Sequence, residues 1–135
     1  MKLVVDSNII FSALISPNGK TAELIFLKNV ELYSTRTLEI ELFEHKMELI
    51  KKSGFSESEF DSICFFILKK IYFVETIELV YFEEQAAKIC PNKDDVAFFA
   101  LCLAKGIPLW SNDKLLKNQN VVKVISTSEI VKMFS

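Results

Sequence analysis

The sequence predicts an α/β fold, with a parallel sheet flanked by helices on both faces, and three observations carry that reading. Short apolar runs such as Leu3-Val4-Val5 and Leu109-Trp110 alternate with longer, helix-patterned segments, an alternation that joins parallel strands through helical crossovers. Two of those runs lead straight into acidic turns, Asp6-Ser7-Asn8 and Ser111-Asn112-Asp113. The carboxyl ends of strands are where open α/β sheets bind ligands, so both acids are expected to face one crevice. Hydrophobic residues make up 50% of the chain, with three glycines and three prolines dispersed along it, which gives a full core and no linker. A single domain over residues 1–135 follows.

The elements are read in order as follows. Leu3–Val5 is a buried strand, and Ile9–Ile15 a short helix stopped by Ser16-Pro17-Asn18-Gly19. Thr21–Lys28 reads as another short helix, Val30–Tyr33 as a strand, and Thr35–Lys52 as a long amphipathic helix with Leu38, Leu42 and Leu49 inward. Ser56 and Glu59 form a capping box for a helix reaching about Lys70, whose stripe is Phe60, Ile63, Cys64, Ile67, Leu68 and Ile71. Tyr72–Val74 is a strand, Glu83–Ile89 a helix, and Asp94–Lys105 a helix apolar nearly all round, which must be covered on more than one side. Leu109-Trp110 and Val121–Ile125 are the last strands, and Ser126 with Glu129 caps a closing helix.

Several classes of protein fall away on composition. Val96–Ala104 is uncharged and apolar but too short to cross a bilayer, and its length suits a buried helix. Asp6 interrupts the first apolar run before a signal segment could form, so the expected location is the cytoplasm. Cys64, Cys90 and Cys102 are odd in number, without C-x-x-C spacing, and read as small core hydrophobes. His45 is the single histidine and no serine or cysteine motif accompanies it, which disfavours Ser-His-Asp and Cys-His catalysis as well as zinc. Gly19-Lys20-Thr21 resembles the tail of a P-loop, but Leu14 stands where the first glycine is required.

The formal net charge is −2, and four acids, Asp6, Glu41, Asp95 and Asp113, account for −4, leaving +2 on the remainder. Each acid alone has an ordinary explanation. Asp6 and Asp113 suit helix caps, Glu41 shares a helix with Glu39, Glu44 and Glu48, and Asp94-Asp95 suits a helix start. All four at matching topological places make a coincidence of caps a poor account. Carboxylates crowded together repel unless a cation joins them, and hard oxygen ligands suit Mg²⁺ or Mn²⁺. The chemistry expected is metal-dependent attack on a phosphate ester. Lys93, Lys114, Lys117 and Lys123 lie near these acids or their strands and are available to a phosphate backbone.

Asp6-x-Asn8, Leu38-Glu39-Ile40-Glu41-Leu42, Asp94-Asp95-x-x-Phe98 and Ser111-Asn112-Asp113-x-x-Leu116, in that order, resemble the four acidic motifs of PIN (PilT N-terminus) domain nucleases. The resemblance spans essentially the whole chain. It implies a five-stranded parallel sheet and Mg²⁺- or Mn²⁺-dependent ribonuclease activity on RNA, leaving 5′-phosphate and 3′-hydroxyl ends. It further implies the toxin-like (VapC-like) branch, restrained by a small antitoxin protein. By this likeness Asp6, Glu41, Asp95 and Asp113 are catalytic and metal-binding, with Asn8, Asp94, Ser111 and Asn112 supporting, and Glu39 is the alternative to Glu41.

Phe65, Phe66, Tyr81 and Phe82 exceed what one buried stripe per element needs. A homodimer, with part of this surface open to an amphipathic partner helix, is the expected consequence. Two rival functions stand beside the nuclease: a PIN-like RNA- or protein-binding module without turnover, and a small-molecule phosphatase. The phosphatase scheme wants a second acid where Asn8 stands.

Overall fold

A computed structural model describes residues 1–134. Five strands form one sheet: β1 (Lys2–Val5), β2 (Glu31–Thr35), β3 (Ile71–Val74), β4 (Leu109–Trp110) and β5 (Val124–Ile125). All neighbouring pairs are parallel, in the order β3-β2-β1-β4-β5. The fold class is therefore the predicted one.

Parallel strands require crossovers, and among the described residues six helices lie in them, α1 (Ser7–Ile15), α2 (Lys20–Ile25), α3 (Arg36–Ser53), α4 (Glu57–Leu68), α5 (Val80–Ile89) and α6 (Val96–Lys105), while a 3₁₀ turn joins β4 to β5 and α7 (Thr127–Met133) follows the last strand. From β1 the chain steps outward to β2 and β3, then returns across the sheet to β4 on the other side of β1. Right-handed crossovers in the two directions place α1–α4 on one face and α5–α6 on the opposite one. The packing agrees, since α1 rests on α3 and α4, while α5 packs against α6, which spans β1, β2 and β4. Covered from both sides, α6 buries Phe98, Phe99, Ala100, Leu101 and Cys102, as its all-round apolar sequence demands.

Element ends differ from the sequence reading in instructive ways. The long helix starts at Arg36 because the Thr35 side chain accepts from Thr37 N–H and caps it. It stops where Gly54 takes φ +76°, a left-handed position that favours glycine. The second helix ends at Ile25, short of Lys28. The predicted Val121–Ile125 strand is only Val124–Ile125, because the Gln119 side-chain oxygen takes the Val121 and Val122 N–H groups at 2.9 Å each, away from any strand partner. The helix expected to begin at Glu83 already begins at Val80. Asp94 and Asp95 lie in a 3₁₀ turn, Lys93–Asp95, ahead of α6 proper.

Candidate active site at the carboxyl edge of the sheet

Crossovers leave β1 and β4 toward opposite sides, so a crevice opens above the carboxyl ends of these two paired strands. Asp6 follows β1 and is only 3% exposed. It is the N-cap of α1, its Oδ1 accepting from Ile9 N–H at 3.0 Å. Ser111 follows β4, is also buried, and its hydroxyl lies beside the Asp6 carboxyl, where it favours the charged form. The same Ser111 oxygen accepts from Asp113 N–H at 3.1 Å, so one hydroxyl sets the spacing of two acids. Asp113 caps the 3₁₀ turn Lys114–Lys117 through Leu115 N–H at 3.0 Å.

The remaining two acids come from helices. Glu41, in the second turn of α3, accepts from Ser7 Oγ at 2.8 Å. Ser7 directly follows Asp6, so β1 fixes one acid and orients another. Asp95 sits half-buried where the 3₁₀ turn passes into α6.

Electrostatics show that the four carboxylates share one field. Burial pushes Asp6 up to about 6, opposed by the hydrogen bonds from Ser111 and Ile9, with Asp113 and Glu41 adding repulsion. Asp95 is pushed up to about 7 by burial and then by the charges of Asp6, Glu41, Asp113 and Asp94. Near neutral pH this crevice therefore retains protons that ordinary surface aspartates have lost. Four segments distant in sequence thus deliver Asp6, Glu41, Asp95 and Asp113 to one place.

The other candidate residues divide. Ser111 lies beside Asp6, whereas the Asn112 Oδ1 accepts from Thr127 N–H at 2.8 Å and so ties the end of β4 to the first residue of α7, which Ser126 caps, instead of joining the acids. Asp94 is exposed and is the last of the charges acting on Asp95. Asn8 is exposed at the head of α1. Glu39 is held by Arg36 at 2.5 Å, and Arg36 also holds Glu75 at 2.5 Å, so the alternative to Glu41 is engaged at the rim. Ser7 is the residue that sequence reasoning passed over. A hydroxyl immediately after a strand-end acid, on the first turn of the next helix, was the available signal.

The donor set fits a hard divalent cation. Four carboxylates supply oxygen alone, and burial followed by mutual repulsion pushes Asp6 and Asp95 up, a penalty that a hard divalent cation would relieve. Among the described residues no three His, Cys, Asp or Glu side chains already converge at coordination spacing. The acids thus share one field at the sheet edge without being gathered at coordination spacing.

Fold and site together define an α/β protein with a carboxylate-lined crevice at the switch point of its sheet. A family model described as PIN domain matches residues 4–131, and the chain belongs to that family. A comparison with curated proteins finds no match. Among solved structures, the fold is similar to a chain of VapBC2 from Rickettsia felis bound to a DNA fragment from its promoter, with 13% identity, TM-score 0.70, and coverage of 93% of this chain and 98% of that one. It is also similar to a chain of VapBC-1 from nontypeable Haemophilus influenzae, with 12% identity, TM-score 0.64, and coverage of 95% and 99%.

Proposed function

We propose that this PIN domain is a divalent-metal-dependent endoribonuclease, a hydrolase of RNA phosphodiester bonds, and the toxin component of a toxin–antitoxin pair. The observation that carries the reading is the delivery of Asp6, Glu41, Asp95 and Asp113 from four separate segments into one mutually repelling group. Asp6 and Asp95 would hold the cation, with Glu41 and Asp113 completing its acidic surroundings. When bound, Mg²⁺ or Mn²⁺ supplies a more acidic water and an electrophile for the phosphoryl oxygens.

This chain's own residues provide placement. Asp6 is held by the Ile9 N–H with the Ser111 hydroxyl favouring its charge, and Glu41 is aimed by Ser7. Asp113 is fixed by Leu115 N–H. Such fixed carboxylates need not reorganise when charge develops at phosphorus. Ser7 and Ser111 act as positioning residues, each through an acid. His45 is engaged with Glu48 at 3.4 Å, and no role as general base is assigned to it.

Likeness to VapBC assemblies supports a small antitoxin as partner. Phe65 and Phe66 are each 61% exposed and Tyr81 is 88% exposed, which supports a homodimer and a surface for an amphipathic helix. No helix among the described residues is long and apolar enough to cross a membrane, and we place the protein in the cytoplasm. The test is cleavage of structured and unstructured RNA with Mn²⁺, Mg²⁺ or EDTA, followed by analysis of the ends. Metal-dependent internal cuts leaving 5′-phosphates, abolished by Asp6→Asn, are expected. RNA left intact with both metals would overturn the reading.

A further inference from the structure

Beside the acids lies a second feature that the proposed reaction does not use. Along α1, Asn8, Phe11, Ser12 and Ile15 recur at one-face helical spacing, and along α3 the same holds for Glu41, His45, Glu48 and Lys52. These two stripes line a groove of about 370 Å³, with Leu49 also in its wall. The groove starts at the site itself, since Glu41 belongs to both and Asn8 is two residues from Asp6. Its ring surfaces are Phe11 and His45, with centroids 5.5 Å apart and planes tilted by 57°.

Of the two acids in the groove wall, Glu41 accepts from Ser7 at its end toward the site and Glu48 is countered within the groove. Glu48 is neutralised by Lys52 at 2.8 Å and by contact with His45 Nδ1. No hydrogen bond among the described residues engages the Asn8 amide or the other ring nitrogen of His45. Phe11 and His45 ring faces beside Ile15 and Leu49, set in an otherwise polar lining with a free Asn8 amide and a free imidazole nitrogen, match what an unpaired nucleobase requires: stacking for its face and donors or acceptors for its edge. A few hundred cubic ångströms at the edge of a cleft suits one small planar group. A base pair within a duplex presents neither a free face nor a free edge to such a slot.

We propose that this α1–α3 groove is a nucleotide subsite that seats one unpaired base of single-stranded RNA beside the phosphate to be cut, with Phe11 and His45 as its stacking surfaces and Asn8 at its edge. The proposal rests on the nuclease reading for its substrate class, and what it adds is the place and the residues that seat the base flanking the cut.

The test uses the sole histidine as a reporter, because its imidazole gives one unambiguous pair of proton NMR signals. The full-length protein is titrated in EDTA with a short single-stranded oligoribonucleotide, and separately with the same sequence as a duplex, while fluorescence anisotropy follows total binding. The His45 signals are expected to move with the single strand and not with the duplex. Phe11→Leu, which retains apolar bulk toward the core, and His45→Ala, at an exposed position, are each expected to weaken single-strand binding by at least about five-fold, the lower end of base–aromatic stacking. His45→Ala disturbs no buried contact, so its loss of binding does not arise from unfolding. RNA binding with the His45 signals unmoved, or binding unchanged in both variants, would overturn the subsite and leave the nuclease standing. Absence of any single-strand binding would also overturn it, while metal-dependent cleavage of the same RNA would show that the nuclease reading survives.

Discussion

At the scale of single residues, the site is a contest between burial and charge. Asp6→Asn or Asp95→Asn keeps shape and removes one cation ligand, so cleavage at saturating Mn²⁺ is expected to fall by more than about 100-fold, beyond the loss from an outer partner. Ser7→Ala leaves Glu41 without its donor and is expected to cost about 10-fold or more in turnover with the melting temperature nearly unchanged. Glu39→Gln breaks only an exposed ion pair with Arg36 and should leave turnover within about two-fold; a large loss there would transfer the ligand role from Glu41. The pH dependence has a defined sign. Asp6 and Asp95 release protons at about 6 and about 7 in the folded chain, against 3.8 when unfolded. Their protonated forms therefore favour the fold; that stability is full below 3.8 and is lost as pH rises through 6 and 7. In EDTA, Asp95→Asn should melt a few °C above the parent at about pH 8 and level with it near pH 4. Mn²⁺ favours the ionised forms and binds the folded site, so it should raise the parent's melting temperature at about pH 8, do little near pH 4, and lose most of that effect in Asp95→Asn.

At the scale of elements, side-chain hydrogen bonds decide how β4 and α7 hold the fourth acid. Asn112 lies between Ser111 and Asp113 yet turns its side chain to Thr127 N–H, while Trp110 Nε1 donates to Thr127 Oγ1 at 2.9 Å. Asn112→Ala is expected to destabilise the fold by about 1 kcal/mol, the ordinary net worth of one hydrogen bond, and thermal melting measures it. Sequence alone could not distinguish this role from site support, because both want a short polar side chain after a strand. The strands and most helices were legible for a simple reason: periods of 2 and 3.6, capping boxes at Ser56 and Ser126, and the stop at Gly54 are local signals. Strand ends were less so. Val121–Lys123 has strand composition, but the Gln119 amide captures its N–H groups from a turn, a choice made by one side chain's reach. The acids could be found because their places follow from topology; Ser7 could not be ranked among them until Glu41 was seen to accept its hydroxyl.

At the scale of the whole molecule, the exposed rings argue for association. Phe65, Phe66 and Tyr81 were expected to be surplus and are exposed, whereas Phe82 is absorbed against the core. Phe43 and Met47, 84% and 70% exposed on α3, enlarge the apolar surface beyond the sequence expectation. A homodimer is expected at tens of micromolar by light scattering; a monomer throughout that range would remove it. The two halves of the sheet also differ in length. On one side β1, β2 and β3 pair over three and four residues, while on the other β4 and β5 each contribute two, ending in an edge strand. Short ladders open locally more often than long ones. Backbone amide exchange should therefore divide the crevice, with Leu109 and Ser111, which donate to Lys123 and Ile125, exchanging with deuterium sooner than the amides between β1 and β2. The carboxylate wall would then have a persistent half, carrying Asp6 and Glu41, and a breathing half, carrying Asp113, so that a bound cation would slow exchange chiefly along β4 and β5.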